Sequence, residues 1–206
     1  MKKSLLLIMS VLFLVPAIQA GLLPASSYYN GQNEQTFDLE AEGTLTILLE
    51  FSVYRDTEAQ TMQEWAGYTG ETKDFVYAYQ VTCDQTSTAA LTYFALTGIN
   101  PDTIASITDD IGQAGSVGSY NSGGVAPKSD GYFNPAVTKA IWEFEDGAMV
   151  HGDKSWFLFL YSDYDWIKGG MAVQVDQDDI PVPDIPEPAT LALLAGGAVL
   201  SLRRKK

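Results

Sequence analysis

Thr44-Leu45-Thr46-Ile47-Leu48-Leu49-Glu50-Phe51-Ser52-Val53 decides the fold class. Leu45, Ile47, Leu49, Phe51 and Val53 fall on one face of an extended chain, and Thr44, Thr46, Glu50 and Ser52 on the other. Leu48 is the one exception. Successive side chains of a strand point to opposite faces, so this period of two predicts a strand with one buried face. The pattern recurs outward. Phe75, Val76, Tyr77, Ala78, Tyr79 and Val81 form a second strand beside the polar Asp74, Gln80 and Thr82. After a turn at Thr86-Ser87, Leu91 to Leu96 fits a short central strand, closed by Ile99-Asn100-Pro101-Asp102. Ala140, Trp142 and Phe144 oppose Lys139, Glu143 and Glu145, with a turn at Glu145-Asp146-Gly147. Trp156 to Tyr161 reads as a strand covered on both faces. Gly169-Gly170 is expected to turn the chain, and Met171, Val173 and Val175 alternate with Ala172 and Gln174 as a last strand. Thr36 to Ala41 supplies an opening edge strand. Thr57 to Trp65 fits a short helix, and Gly112 to Ser129, with five glycines and four serines, a long mobile loop or two short hairpins. About seven strands with turn-rich links predict an all-β protein, an antiparallel two-sheet sandwich over residues 21–175. The 24 aromatics can fill its core.

Charge narrows the partners. The stretch between two apolar ends, about 165 residues, holds six of the 12 Lys and Arg and all 26 Asp and Glu, a net charge of −20. Such a surface repels nucleic-acid phosphates, so no nucleic-acid partner is expected. It suits solubility outside the cell, neutral sugars or divalent cations.

Few residues offer chemistry. Cys83 is the only cysteine, so it makes no internal disulfide and builds no zinc site. As a nucleophile it needs a base, and the sole histidine, His151, sits in a Val-His-Gly-Asp turn far along the chain. A half-buried strand thiol and a solvated loop histidine are the plainer reading. The Gly-x-x-Gly spacings of 112–129 lack the strand–glycine–lysine–helix context of a nucleotide site. A glycosidase needs two carboxylates at a set separation, for which Glu143, Glu145, Asp163 and Asp165 are available. Asp163 and Asp165, or Asp176, Asp178 and Asp179, offer oxygen ligands for Ca²⁺, but neither stretch has a full loop spacing, and a solvated acidic turn is the plainer reading. Trp65, Tyr68 and Trp166 are candidates for stacking on sugar rings. The expectation is a non-enzymatic body without cofactor or metal, with a carbohydrate-binding module as the alternative and a glycosidase-like enzyme as the third reading.

The ends carry an address. Lys2-Lys3, the run Leu5 to Val15, Pro16 and Ile18-Gln19-Ala20 read as a signal peptide over residues 1–20, cut between Ala20 and Gly21. Residues 176–185, Asp-Gln-Asp-Asp-Ile-Pro-Val-Pro-Asp-Ile, are expected to form an extended acidic, proline-rich linker, because alternating prolines are poor sheet formers. Residues 186–206 follow. They hold Pro186-Glu187-Pro188, an apolar helix over 189–202 that includes Ala189, Leu191, Leu194, Gly196, Gly197 and Leu200, and the basic stop Arg203-Arg204-Lys205-Lys206. The 13 residues from Thr190 to Leu202 span about 20 Å as a helix, against a bilayer core of ~30 Å. Gly196-Gly197 weakens that helix further or admits a neighbour closely. This suits a transient anchor, and the basic clusters at both ends keep the termini in the cytoplasm and the acidic body outside.

Val182-Pro-Asp-Ile-Pro-Glu-Pro-Ala-Thr-Leu-Ala-Leu-Leu194, an apolar stretch containing glycine and Arg-Arg-Lys-Lys resemble the PEP-CTERM sorting signal of bacterial exosortase substrates. The resemblance is confined to about residues 183–206. It implies a precursor that crosses the inner membrane by its signal peptide and stays anchored there for a time. A membrane-embedded exosortase then cleaves it near Pro186-Glu187-Pro188. It further implies a released protein at the cell surface or outside the cell, associated with exopolysaccharide and biofilm matrix.

Overall fold

The computed structural model describes residues 23–39, 42–104, 110–129, 131–145, 147–173 and 176–183. The expected signal peptide with its Ala20–Gly21 junction lies outside the described residues, and so does the segment 186–206 with its 189–202 helix. The elements run β1 (Tyr29–Asp38), β2 (Thr44–Arg55), α1 (Asp56–Ala66), β3 (Phe75–Cys83), β4 (Tyr93–Thr97), β5 (Ile111–Ala114), β6 (Ser116–Val117) and β7 (Tyr120–Asn121). They continue through β8 (Tyr132–Asn134), β9 (Lys139–Glu143), β10 (Phe157–Ser162), β11 (Trp166–Val173) and β12 (Asp176–Pro183). The described residues are mostly β with one short helix. Two five-stranded sheets have the orders β1-β2-β3-β10-β5 and β12-β11-β4-β9-β8, and β6 and β7 form a separate hairpin. The pairings between these strands are antiparallel.

The alternation in β2 orders the first sheet. Leu45, Ile47, Leu49, Phe51 and Val53 are all buried and pack with Tyr77, Tyr79 and Val81 of β3 and Leu158 and Leu160 of β10. The same cluster takes Phe94 and Leu96 from β4, Trp142 from β9, and Met171 and Val173 from β11, so the two sheets share one core. Burying such side chains stabilises by roughly 1.5–3 kcal/mol each, which makes this the dominant favourable term. The other face of the first sheet is apolar too. Val76, Ala78, Phe157, Phe159 and Tyr161 pack there against Ala59 and Met62 of α1 and Val117 of β6. β10 therefore has both faces covered, as its unbroken apolar run predicts.

The α1 helix lies in place of the short helix expected at 57–65. It ends at Gly67, whose φ of 71° is left-handed, with Gly67 N–H donating to Glu64 O at 3.2 Å and Tyr68 N–H to Gln63 O at 2.9 Å. That double bond is a Schellman cap, and the glycine fits because it carries no Cβ. Gln63, buried, grips the backbone of Lys73 through its amide donating to the carbonyl at 2.8 Å and its oxygen accepting from the N–H at 2.9 Å.

Three expectations are corrected. Gly169-Gly170 does not turn the chain: both lie inside β11, where the register against β12 shifts between them. The extra residue of that shift, Asp179, lies in β12, which bulges there, and Trp166 and Met171 at the two ends of β11 both pack against the shared core. Residues 176–183 are not a free linker, since β12 pairs with β11 from Asp176 opposite Ala172 to Pro183 opposite Trp166. β12 is an edge strand, and Pro181 and Pro183, two residues apart, put their missing N–H groups on the same side, away from β11. Third, 112–129 is neither one long loop nor two hairpins. It gives β5 to the first sheet, forms the β6–β7 hairpin and meets the start of β10 through Val125 N–H to Lys154 O at 2.6 Å.

Candidate functional site

Glu58, Thr61, Met62 and Trp65 stand at i, i+3, i+4 and i+7 on α1, so they form one stripe along the helix. Beside that stripe lies a cleft of about 260 Å³, closed by Pro24 and Ala25, Tyr54 of β2 and Tyr120 of the β6–β7 hairpin. Met62 and Tyr54 are buried in its floor, with the Tyr54 hydroxyl donating to the Pro24 carbonyl. Burial raises the Tyr54 pKa, so the phenol stays neutral. Trp65 and Tyr120 are 42% and 41% exposed, and their ring centroids lie 6.4 Å apart at 38°.

The indole has a fixed support. A Cβ built on Gly118 would lie 2.8–2.9 Å from three atoms of the Trp65 ring system, and Gly118 has φ of 54°. Backbone without a side chain therefore packs against the indole there, and glycine also permits the left-handed turn between β6 and β7. At the other end of the stripe Glu58 accepts from Ser27 N–H at 3.1 Å and from the Ser26 hydroxyl at 3.2 Å. These bonds, led by Ser27, hold its carboxyl below the usual range against the opposing effect of burial.

The other stacking candidates are occupied. Tyr68 stacks on Tyr161 at 4.1 Å and Trp166 on Tyr29 at 4.3 Å, both partly buried. Trp65 alone of the three presents an open ring. Tyr120 and Gly118 were missed by sequence reasoning; the single aromatic within the Gly- and Ser-rich 112–129 was the available signal.

The four carboxylates do not act as one group. Glu143 on β9 accepts from the Tyr132 hydroxyl at 3.4 Å, and Glu145 is exposed beyond that strand. Asp163 pairs with Lys73 at 3.1 Å, and Asp165 accepts from the Tyr28 hydroxyl at 2.6 Å. Lys73 also lies 3.8 Å from the buried Asp110. Burial alone would lower the Lys73 pKa; Asp163 and Asp110 outweigh it and raise it. Asp176, Asp178 and Asp179 lie in β12. Among the described residues no three His, Cys, Asp or Glu side chains gather as a metal ion requires.

Cys83 and His151 are brought near in the backbone, since Gly152 N–H donates to Cys83 O at 2.8 Å. Their side chains part company: Cys83 is fully buried, not half-buried, and His151 is exposed. Burial pushes the thiol up to about 11, so it is protonated at neutral pH and a poor nucleophile.

Among the described residues no helix is long and apolar enough to cross a membrane. The sorting residues Pro186, Glu187 and Pro188, the helix residues from Ala189 to Leu200 and the basic stop lie outside the described residues, and β12 ends at Pro183, directly before them. No curated protein and no solved structure matches the chain. Residues 184–206 match the PEP-CTERM protein-sorting motif. The chain thus ends in a PEP-CTERM sorting motif, which implies export, processing by an exosortase and sorting to the cell surface.

Proposed function

We propose that the chain is a non-enzymatic surface or extracellular-matrix protein whose two sheets form a sandwich delivered by its tail. In this reading a signal peptide over residues 1–20 starts export, and the 189–202 run holds the precursor in the inner membrane for a short time. An exosortase cuts near Pro186-Glu187-Pro188, and the released body joins the exopolysaccharide of a biofilm. The observation that carries the reading is the sorting motif at 184–206, placed directly after the last strand of the body. Support for a body without chemistry comes from the buried, protonated Cys83 and from Glu143, Asp163 and Asp165, each engaged by a separate partner. Replacing Pro186, Glu187 and Pro188 together by alanine is expected to leave full-length precursor in the inner-membrane fraction of cells that encode an exosortase. Normal maturation of that variant would overturn the reading. A carbohydrate-binding module is the second reading, favoured by the exposed aromatic cleft on α1.

A further inference from the structure

We propose that the cleft between α1 and the β6–β7 hairpin binds neutral carbohydrate, with a pyranose ring stacked on the open side of Trp65. The inference rests on the reading of an exported surface protein and gives that reading a ligand class and a site.

Among the described residues the exposed large hydrophobics are Trp65, Tyr120, Val137 and Val150, and the two aromatic ones are neighbours in a single cleft. Apolar side chains left singly on a surface need no explanation; two adjacent rings over an apolar floor do. Their arrangement suits a sugar. A pyranose presents a flat face of C–H groups and a rim of hydroxyls. Trp65 offers an aromatic face to the C–H groups, and Tyr120, tilted by 38°, extends the surface to an adjoining ring. Gly118 backs the indole and Met62 packs one turn before it, so the ring is held before ligand arrives and little side-chain entropy is lost on binding.

Polar groups flank the rings where hydroxyls would lie. Glu58 is kept ionised by Ser26 and Ser27, and a carboxylate with two oxygens has lone pairs left for further donors. The Thr61 hydroxyl donates to Thr57 O at 2.9 Å, which leaves its own oxygen free to accept. Charge selects among sugars. The ionised Glu58 at the cleft and the −20 of the stretch between the apolar ends repel uronic acids and sulfated chains, so the ligand is neutral. The same charge excludes nucleic-acid bases as the stacking group.

The test uses the full chain, purified in a non-glycosidic detergent, and titration calorimetry with four probes: the hexasaccharides of β-1,4-glucose, β-1,3-glucose, α-1,4-glucose and β-1,4-mannose. At least one is expected to bind. Trp65→Ala is expected to weaken that binding tenfold or more, and Trp65→Phe less, with unchanged circular dichroism, since Trp65 is on the surface. Tyr120→Ala is expected to weaken it less than Trp65→Ala, and Val137→Ala, an exposed apolar residue elsewhere, to leave it unchanged. Folded wild-type protein that binds none of the four, or a Trp65→Ala variant that binds as wild type, overturns the proposal. Binding is read without any processing step. A failure here leaves the sorting reading standing, and a failure of sorting leaves this one.

Discussion

Glu58 ties together residues far apart in sequence: its carboxylate accepts from Ser26 and Ser27, 32 and 31 positions earlier, and so latches the segment before β1 onto α1. Its pKa in the folded protein lies below the usual 4.5, because Ser27 and Ser26 bond the ionised form. A carboxyl depressed by folding adds stability above its unfolded pKa and loses it as pH falls through the folded value. Thermal melts are therefore expected to show Glu58→Gln less stable than wild type at neutral pH, with the gap closing below about 4.5. A gap that stays constant down the acid range would contradict the latch. Trp65 could be named from sequence as a sugar-stacking candidate, but so could Tyr68 and Trp166. What separates them is whether a second aromatic ring stacks against them, and that is a tertiary fact. Gly118 and Tyr120 were hidden for a related reason, because their partner Trp65 lies more than 50 residues away on a different element.

Strands with one buried face were the most legible elements. Period two in Leu45 to Val53 and in Ala140 to Phe144 found β2 and β9, because the face turned to the shared core imposes that period. The alternate aromatics Phe75, Tyr77 and Tyr79 found β3, whose other face, with Val76 and Ala78, is buried as well. Leu91 to Leu96 overlapped β4, and the dense run before Tyr161 became β10, covered on both faces. The elements missed were those without such a face. β5, β6 and β7 are four, two and two residues long, too short to show a period, and their buried Ile111 and Val117 stand among small and polar residues. β12 was read as a linker because proline and acid are unfavourable in a strand interior; the edge location that reverses this judgement is invisible in a single sequence. The proline spacing makes a testable statement. Val182 faces Ile167 and alternates with Pro181 and Pro183, so its N–H points toward β11. Val182→Pro is expected to speed amide hydrogen exchange along β11, whereas Pro181→Val leaves it nearly unchanged. Equal effects from the two substitutions would mean that β12 is not held as an edge strand.

At the scale of the molecule, one acidic body carries a tail of opposite character. The body closes two sheets over a core of fully buried aromatics and aliphatics, including Trp142, Tyr77, Phe94 and Leu49, and needs no disulfide to do so. The pairing of β12 with β11 keeps the tail close to this body. With β12 paired as far as Pro183, five residues lie between it and Ala189, a reach of roughly 20 Å if extended. A free linker beginning at residue 176 would have reached roughly 45 Å. The exosortase is thus expected to work beside a folded domain and to leave β12 in place. The mass of the mature protein recovered from the cell surface tests this most directly. The expected product is a chain that starts near Gly21 and ends close to Glu187, with all of β12 retained and the apolar and basic residues 189–206 gone. A surface form that still carries residues 189–206, or one that ends before Asp176, would contradict it.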